Sequence, residues 1–552
     1  MPIPAVTERY KMRFSFDKER SGYTFVSKDD LYLKKKNQNY GFLTEENRNA
    51  YKELQIVELN HGMEPSYWCQ DEILAKICQD ERGCFLDWQK DGGMPLTFVQ
   101  EVSEGNYKVT VGLCADQEEE VFVCLGRRRM IYREPLQAGE TVTVSGLVNV
   151  CPVIPRTYTT AMEDKTVDVT VIGKGVHVSS ICIEPWEGRT LYIAGDSTVT
   201  DQSAVYPYYP WNSYCGWGQM LSAYLKEQMA VSNHAHSGLT TESFRTEGHY
   251  QILIDRIKKD DICLIQFGHN DQKLSELKAY EGYKERMLAY IAEIKEKGGV
   301  PVIVSPLARN SWLVSGEYND LLEEYADACR DIAAEQHIPF LDLHQLSMSF
   351  VTRHGREDAK RFFFPSDFTH SNDYGAYLFA GYVYEEMKAA GLLEAEPYKQ
   401  WIPAAVFPEI VIPKEYADKK NPFDQNLFAD LERPEDALTR VEALEMVIQT
   451  MKFFPTNVYN DMFEDVIGHE TYAGTVECAW QNGLIPESMI CNHKFLPQKK
   501  VTGEEFIAIL LNGYMSRKTI DEAGKEKLKE KVLLQKEIKR KDAVELCRQM
   551  QI

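Results

Sequence analysis

The sequence predicts a multidomain protein: an amino-terminal antiparallel β-sandwich, a central α/β/α domain built on a parallel sheet, and a small carboxyl-terminal α-helical repeat module. Three observations lead there. At 552 residues the chain is too long for one hydrophobic core, and roughly two to four domains are expected. Near residue 188 the pattern changes from short β-branched segments to strands alternating with helices. Toward its end one short helical pattern recurs.

Residues 1–187 form the predicted sandwich. "NYKVTVGLC", "EEVFVCLG", "ETVTVSGLVNV", "KTVDVTVIG" and "VHVSSICIEP" alternate in polarity and are parted by Gly or charged turns. Over 188–395, apolar strands ("TLYIAG", "MAVSN", "DICLIQFG", "VPVIVSP", "IPFLDL") alternate with "WGQMLSAYLKEQ", "EGYKERMLAYIAEIKEKG" and "NDLLEEYADACRDIAAEQ", apolar at helical spacing. That alternation predicts a parallel sheet covered on both faces, with ligands bound beyond the carboxyl ends of its strands. The Pro-rich stretch 396–432 reads as a linker. Residues 433–552 repeat one motif at Leu438, Val501 and Ile538: a β-branched or Leu start, polar residues, an acid, then an apolar stripe.

Bulk properties narrow the partners. A net charge of −22 argues against nucleic acid, whose phosphates demand concentrated Lys and Arg. No apolar run approaches the length of a membrane span. Thirteen scattered cysteines read as reduced thiols rather than a disulfide framework. The first residues carry no secretory pattern, so the expected location is the cytoplasm, or the cell surface if a leader has been removed.

Four stretches of the central domain hold residue types suited to acyl transfer. Ser197 follows the first strand in "LYIAGDSTVT", Gly238 lies after the second in "NHAHSGLTTESF", and Asn270 lies after the third in "QFGHND". Asp367 and His370 precede the last helix in "SDFTHSNDYGA". A serine hydroxyl attacks only when a base takes its proton; an imidazole does so near neutral pH, steadied by a carboxylate on its other nitrogen. Asp367 and His370, three apart, can meet within one turn. The backbone N–H groups of Ser197 and Gly238, with the Asn270 amide, are the predicted oxyanion donors. Singly each signal is weak: Gly-Asp-Ser suits a turn, Asp-x-x-His a capped helix, Gly-x-Asn-Asp a loop. Together, each at a strand end, they predict a serine nucleophile.

In this order the four blocks resemble the SGNH hydrolases, also called the GDSL superfamily. "AGDSTVTDQ", "GWGQML", "NHAHSG", "QFGHNDQK" and "SPLARN" are most similar to the rhamnogalacturonan acetylesterases, a branch that also tends to carry a leading β-sandwich. The resemblance covers residues 1 to about 395. It implies a flavodoxin-like α/β/α serine esterase that removes acetyl groups from pectic sugars with no metal or other cofactor. One departure stands out: relatives usually follow the second-block glycine with Arg-Ser, whereas Leu239-Thr240 stand here. Should that arginine hold an acidic sugar, its loss bears on the pectic substrate and leaves the hydrolytic residues untouched. The amino-terminal domain resembles galactose-binding-like jelly rolls, which either bind carbohydrate or shape one wall of an attached active site.

Asp196, Trp211, Trp217, His269 and Arg309 are the candidate substrate contacts. Trp211 and Trp217 belong to the aromatic stretch "VYPYYPWNSYCGWGQ", with Tyr206, Tyr208, Tyr209 and Tyr214; flat rings suit sugar faces, and equally suit a stiff loop packed on the fold. Trp217 fits the core as well. Arg127–Arg129 in "GRRRM" reads as a solvated hairpin turn. His234 and His236 read as core or supporting histidines, since no third ligand at metal spacing accompanies them, and Cys69, Cys78 and Cys84 lack zinc spacing. With its large negative charge, the protein is expected to take short or neutral acetylated oligosaccharides rather than a long polyanion.

The carboxyl-terminal segment resembles the S-layer homology repeat. Leu438-Thr439-Arg440-Val441-Glu442 keeps that module's helix start, Gly503 replaces the arginine in the second copy, and the third, Ile538 to Cys547, is cut short. The resemblance implies a grip on cell-wall polysaccharide; self-association or a purely structural role fits equally. Two other readings of the whole chain remain: an SGNH esterase for another acyl group, such as a lysophospholipid or thioester, and a carbohydrate-binding surface protein whose hydrolase fold is vestigial.

Overall fold

The computed structural model describes residues 11–18, 20–32, 38–44, 75–88, 95–154, 159–204, 208–313, 316–365, 367–393, 396, 399–401, 433–460, 462–466, 468, 470–516, 518, 520, 524–526, 528 and 536–550. Cys69, Tyr206 and nearly all of the predicted linker 396–432 lie outside them. The chain divides into two compact units: residues 1–308 with 322–407, and residues 309–321 with 408–552. The β-rich segment and the strand–helix segment thus share the first unit, while 309–321 groups with the carboxyl-terminal segment.

Among the described residues of the first unit, twelve strands precede the parallel sheet: β1 (Met12–Ser15), β2 (Thr24–Phe25), β3 (Tyr40–Leu43), β4 (Ala75–Asp80), β5 (Gly83–Trp88), β6 (Leu96–Glu101), β7 (Gly105–Ala115), β8 (Glu119–Leu125), β9 (Arg129–Leu136), β10 (Thr141–Val150), β11 (Thr166–Ile172) and β12 (Val176–Pro185). One sheet runs β10-β7-β12-β1-β2 with β4 and β5 attached, the other β3-β6-β11-β8-β9. All pairings are antiparallel except the short β1–β2 contact. Val109, Val111 and Ile181 of one sheet and Phe98, Val123 and Val169 of the other bury their side chains in a common core. Each contributes on alternate positions, as a sandwich requires. The hairpin β8–β9 turns at Gly126–Arg128.

The parallel sheet follows with β13 (Thr190–Gly195), β14 (Ala230–Asn233), β15 (Ile262–Gln266), β16 (Val300–Val304) and β17 (Phe340–Leu341), in the order β14-β13-β15-β16-β17. In strand sequence this is 2-1-3-4-5, the flavodoxin-like arrangement, whose order reverses between β13 and β15 and leaves a crevice beyond their carboxyl ends. Every residue of β13 and β15 is buried, because helices cover both faces. Helix α1 (Lys284–Glu296) buries Met287, Tyr290, Ile291 and Ile294, and α2 (Glu323–Gln336) buries Tyr325, Cys329 and Ile332, each set three or four apart. These side chains join Tyr192, Cys263 and Ile265 in one cluster. Helices α3 (Leu343–Ala359) and α4 (Asp373–Ala389) complete the unit. "WGQMLSAYLKEQ" forms two separate turns, 217–220 and 222–225, rather than one helix, and "IPFLDL" is extended only at Phe340–Leu341.

In the second unit, α5 (Arg440–Thr450), α6 (Ala473–Gln481), α7 (Gly503–Met515) and α8 (Arg540–Gln549) surround an apolar core. Thr439 with Glu442 and Thr502 with Glu505 form capping boxes at α5 and α7. The three repeated starts close a ring of backbone hydrogen bonds: Leu438 N–H donates to Ile538 O (3.1 Å), Ile538 N–H to Val501 O (3.0 Å) and Val501 N–H to Leu438 O (3.0 Å). Arg440 reaches Glu505 and Arg540 reaches Glu442, both at 2.5 Å. Gly503 is where the third such arginine would stand. The short copy from Ile538 therefore completes the ring despite its length.

Candidate active site

The end of β13 explains the Gly-Asp-Ser run. A Cβ on Gly195 would lie 2.9 Å from both Gln266 O and Val199 Cγ2, so only glycine lets β15 and the turn approach this closely. Asp196 points inward. Its Oδ1 accepts from the Thr198 N–H (2.9 Å) and hydroxyl (2.8 Å), and its Oδ2 faces His269 Nδ1 at 3.2 Å. Burial pushes this carboxyl up, but His269 and Thr198 outweigh it and leave the group below its ordinary value. The turn thus aims Ser197, half-buried, into the crevice.

Ser197 Oγ lies 2.7 Å from His370 Nε2, and His370 Nδ1 lies 2.8 Å from Asp367 Oδ2. Asp367 Oδ1 accepts from the backbone N–H of Thr369 (2.8 Å) and of His370 (2.9 Å). Burial alone raises its pKa; the His370 ring and the two N–H groups more than offset that and bring it down to about 2. An ionised Asp367 keeps the proton on Nδ1, so the Nε2 lone pair faces the serine hydroxyl. Tyr214 adds a lid at the side: its ring stacks on Phe364 (centroids 3.6 Å), meets His370 edge-on (5.9 Å), and its hydroxyl donates to Asp367 Oδ2 at 3.4 Å. Asn372 caps α4 through Gly375 N–H and also donates to Trp211 O (3.3 Å), fastening the aromatic loop beside His370.

Blocks two and three are tied together. Asn270 Nδ2 donates one N–H to Leu239 O (3.0 Å), and its Oδ1 accepts from Lys273 (2.9 Å); its second N–H has no acceptor among the described residues. Gly238 is exposed with φ +84, and a Cβ there would meet nothing, so the glycine answers a backbone need and keeps the crevice open. Asp271, unnoticed in the sequence, accepts from Thr241 N–H (2.8 Å) and hydroxyl (2.6 Å) and from Gly268 N–H (3.1 Å). Its pKa rises to about 7 because burial outweighs those donors.

Of the candidate substrate contacts, three are corrected. Trp217 is 0% exposed and donates its indole N–H to Gln266 Oε1 at 2.8 Å; Gln266 in turn donates to Thr198 Oγ1 at 2.7 Å. It is a strut of the crevice floor. Asp196 is held as described above, and buried His269 uses Nε2 on Leu307 O (2.9 Å), so neither faces a ligand. Trp211 is half-buried beside Tyr209, ring centroids 5.8 Å apart, on the loop next to His370. Arg309 belongs to the second unit. The expected solvated turn at Arg127–Arg129 is also overturned: all three are buried. Arg129 pairs with Asp201 (2.9 Å) and donates to Val231 O (2.8 Å), and Arg128 pairs with Asp373 (2.6 Å). His234 is a core residue whose Nε2 lies 2.9 Å from Ser232 Oγ; burial, then nearby arginines, push its pKa well down. His234 and His236 follow the end of β14 at Asn233. Among the described residues no group of three or more His, Cys, Asp and Glu side chains is placed to hold a metal ion.

The GDSL-like lipase/acylhydrolase family profile matches residues 193–377. The probable rhamnogalacturonan acetylesterase YesY of Bacillus subtilis is 33% identical over 210 residues, covering 37% of this chain and 94% of that protein. The rhamnogalacturonan acetylesterase RhgT of the same organism is 34% identical over 216 residues, covering 37% of this chain and 90% of its own. The chain belongs to the GDSL-like lipase/acylhydrolase family. It is accordingly an esterase. The crystal structure of protein YxiM from Bacillus subtilis aligns over 70% of this chain and 99% of that one at 23% identity, with a TM-score of 0.36. The span matched by the GDSL-like family contains Ser197, Gly238, Asn270, Asp367 and His370, and leaves the sandwich and residues 408–552 outside.

Proposed function

We propose that the protein is a serine carbohydrate esterase that removes acetyl groups from short pectic, rhamnogalacturonan-type oligosaccharides. The observation that carries this reading is the hydrogen-bonded series Ser197–His370–Asp367 at 2.7 and 2.8 Å at the sheet's switch point. Ser197 Oγ attacks the acetyl carbonyl as His370 Nε2 takes its proton; the sugar oxygen leaves with that proton, and an acetyl-serine remains. Water, deprotonated by His370, then attacks the acetyl carbon, releasing acetate and restoring the hydroxyl. Ser197 N–H, Gly238 N–H and the Asn270 amide are the oxyanion donors in this reading. The names of YesY, a probable rhamnogalacturonan acetylesterase, and RhgT, a rhamnogalacturonan acetylesterase, favour the substrate class. The exposed Tyr209 and Tyr214 with Trp211 beside His370 suit sugar faces, and the net charge of −22 favours short acceptors over polymeric polyanions.

An acetate-release screen on acetylated pectic and xylan oligosaccharides and small synthetic esters, run beside Ser197→Ala, tests the reading. Release from pectic oligosaccharides that vanishes in the variant supports it; equal release by the variant overturns it, and faster release from intact polymeric pectin than from acetylated disaccharides overturns the substrate preference.

A further inference from the structure

The hairpin tip of the sandwich places an unusual residue. Arg128 has φ +59, the left-handed region where a non-glycine side chain costs about 1 kcal/mol or more, and its side chain is only 3% exposed. A charged group held at such a position is expensive twice over, and the surroundings must fix it. They do so with a fork of bonds into the α/β part of the same unit. Nη1 donates to Asp373 Oδ2 (2.6 Å), Nη2 to Tyr214 O (2.6 Å), with Gln219 Oε1 at 3.5 Å, and Nε to Gln202 O (3.0 Å). Tyr208 donates its hydroxyl to the same Asp373 oxygen.

Two of these targets, Asp373 and Tyr214, are next to the proposed chemistry. Asp373 is the first residue of α4, three after His370. The Tyr214 carbonyl belongs to the residue whose ring and hydroxyl border His370 and Asp367. One guanidinium therefore grips both walls around the imidazole: the aromatic loop through Tyr214 and the His370 loop through the start of α4. The adjacent Arg129 holds Asp201, which also accepts from Asn233 Nδ2 (2.9 Å).

We infer that Arg128 is a positioning residue for the esterase reaction, by which the amino-terminal sandwich sets the placement of His370 and Tyr214 and without which the hydrolase residues are misaligned. The inference rests on Ser197, His370 and Asp367 being the catalytic groups. A planar, forked donor is needed, since a lysine ammonium has the charge for Asp373 but cannot also reach carbonyls on two other segments in fixed directions.

The test counts turnover per competent serine. Full-length wild type, Ser197→Ala, Arg128→Lys, Arg128→Met and, as a control on the exposed sandwich surface, Arg82→Met are labelled to completion with a serine-directed fluorophosphonate. Parallel unlabelled aliquots of the same preparations are assayed on a small aryl acetate for kcat per site counted by the label and for KM. Stoichiometric labelling of wild type and none of Ser197→Ala establishes the nucleophile; labelled and active Ser197→Ala would end the catalytic reading and this inference with it. Given the nucleophile, Arg128→Met is expected to lose about tenfold to a hundredfold in kcat per labelled site, the scale of a misplacement of about 1 Å, with KM within about threefold. Arg128→Lys should fall between, and Arg82→Met should match wild type. Wild-type turnover per labelled site in Arg128→Met, even with fewer sites labelled, would mean that Arg128 only supports folding and would overturn the inference while leaving the catalytic reading intact.

Discussion

Replacing Asp367 with asparagine isolates the step that the hydrogen-bond geometry controls. The asparagine Oδ1 still accepts from Thr369 and His370 N–H, at 2.8 and 2.9 Å in the native site, so the loop is retained. The fall of the Asp367 pKa from 3.8 to about 2 corresponds to roughly 2.4 kcal/mol, or about sixtyfold, and part of that comes from those retained N–H groups. Lost attraction alone would therefore cost less than about sixtyfold. A second effect is larger: the amide Nδ2, 2.8 Å from His370 Nδ1 where Oδ2 now stands, donates to that nitrogen and drives the ring proton to Nε2, facing Ser197. In that tautomer the ring cannot accept the serine proton, and losses on the order of 10³ to 10⁴ in kcat are expected. The assay is kcat/KM on a small aryl acetate, with circular dichroism to verify the fold. A folded variant losing less than about sixtyfold would refute the tautomer argument and, with it, the role given to Asp367.

Asn270→Ala should lower kcat by about a hundredfold to a thousandfold with little change in KM, since one oxyanion donor is lost; a change confined to KM would move Asn270 to substrate binding. Trp217→Phe removes the N–H that satisfies Gln266 Oε1 and is expected to cost about 1–3 kcal/mol of stability, read as a lower Tm with nearly native KM; an oligosaccharide KM raised tenfold at unchanged Tm would restore Trp217 as a ligand contact. Asp367, held at about 2 against 3.8, favours the folded state above pH 4 and loses that contribution as pH falls from about 4 to about 2. The stability gap between wild type and Asp367→Asn in acid denaturation should close over that window. Glu445 behaves oppositely: burial, then Glu442, raise it to about 7 from 4.5, so its contribution is complete below 4.5 and fades as pH rises through 7, by up to about 3 kcal/mol. Hydrogen exchange of α5 should quicken from pH 5 to pH 8 in wild type beyond the intrinsic rate increase, and not in Glu445→Gln.

Much of this protein could be read from local pattern. Six apolar or small residues ending on Gly195 form β13 as the spacing suggests, and the three-and-four stripes of α1 and α2 reappear as buried faces. The residue types of a serine esterase are legible because proton transfer restricts which side chains serve, and because Asp367 and His370 sit three apart in one turn. Family membership rests on the same blocks. What the linear pattern could not carry is the partner of a charge and the side of the chain that a ring faces. Arg128 and Arg129 look like a solvated turn because their acids, Asp373 and Asp201, lie 245 and 72 residues away; only folding brings them within 3 Å and makes the burial of a guanidinium tolerable. Trp217 sits in an aromatic loop beside true surface rings, yet Gln266, a residue 49 positions on, draws its indole inward. Asp196 and His269 face one another across the strand ends for the same reason. Periodicity and reactive side-chain types are properties of a segment and survive in the sequence; burial, ion pairing and register belong to pairs of segments, and exist only once packing has removed water from between them.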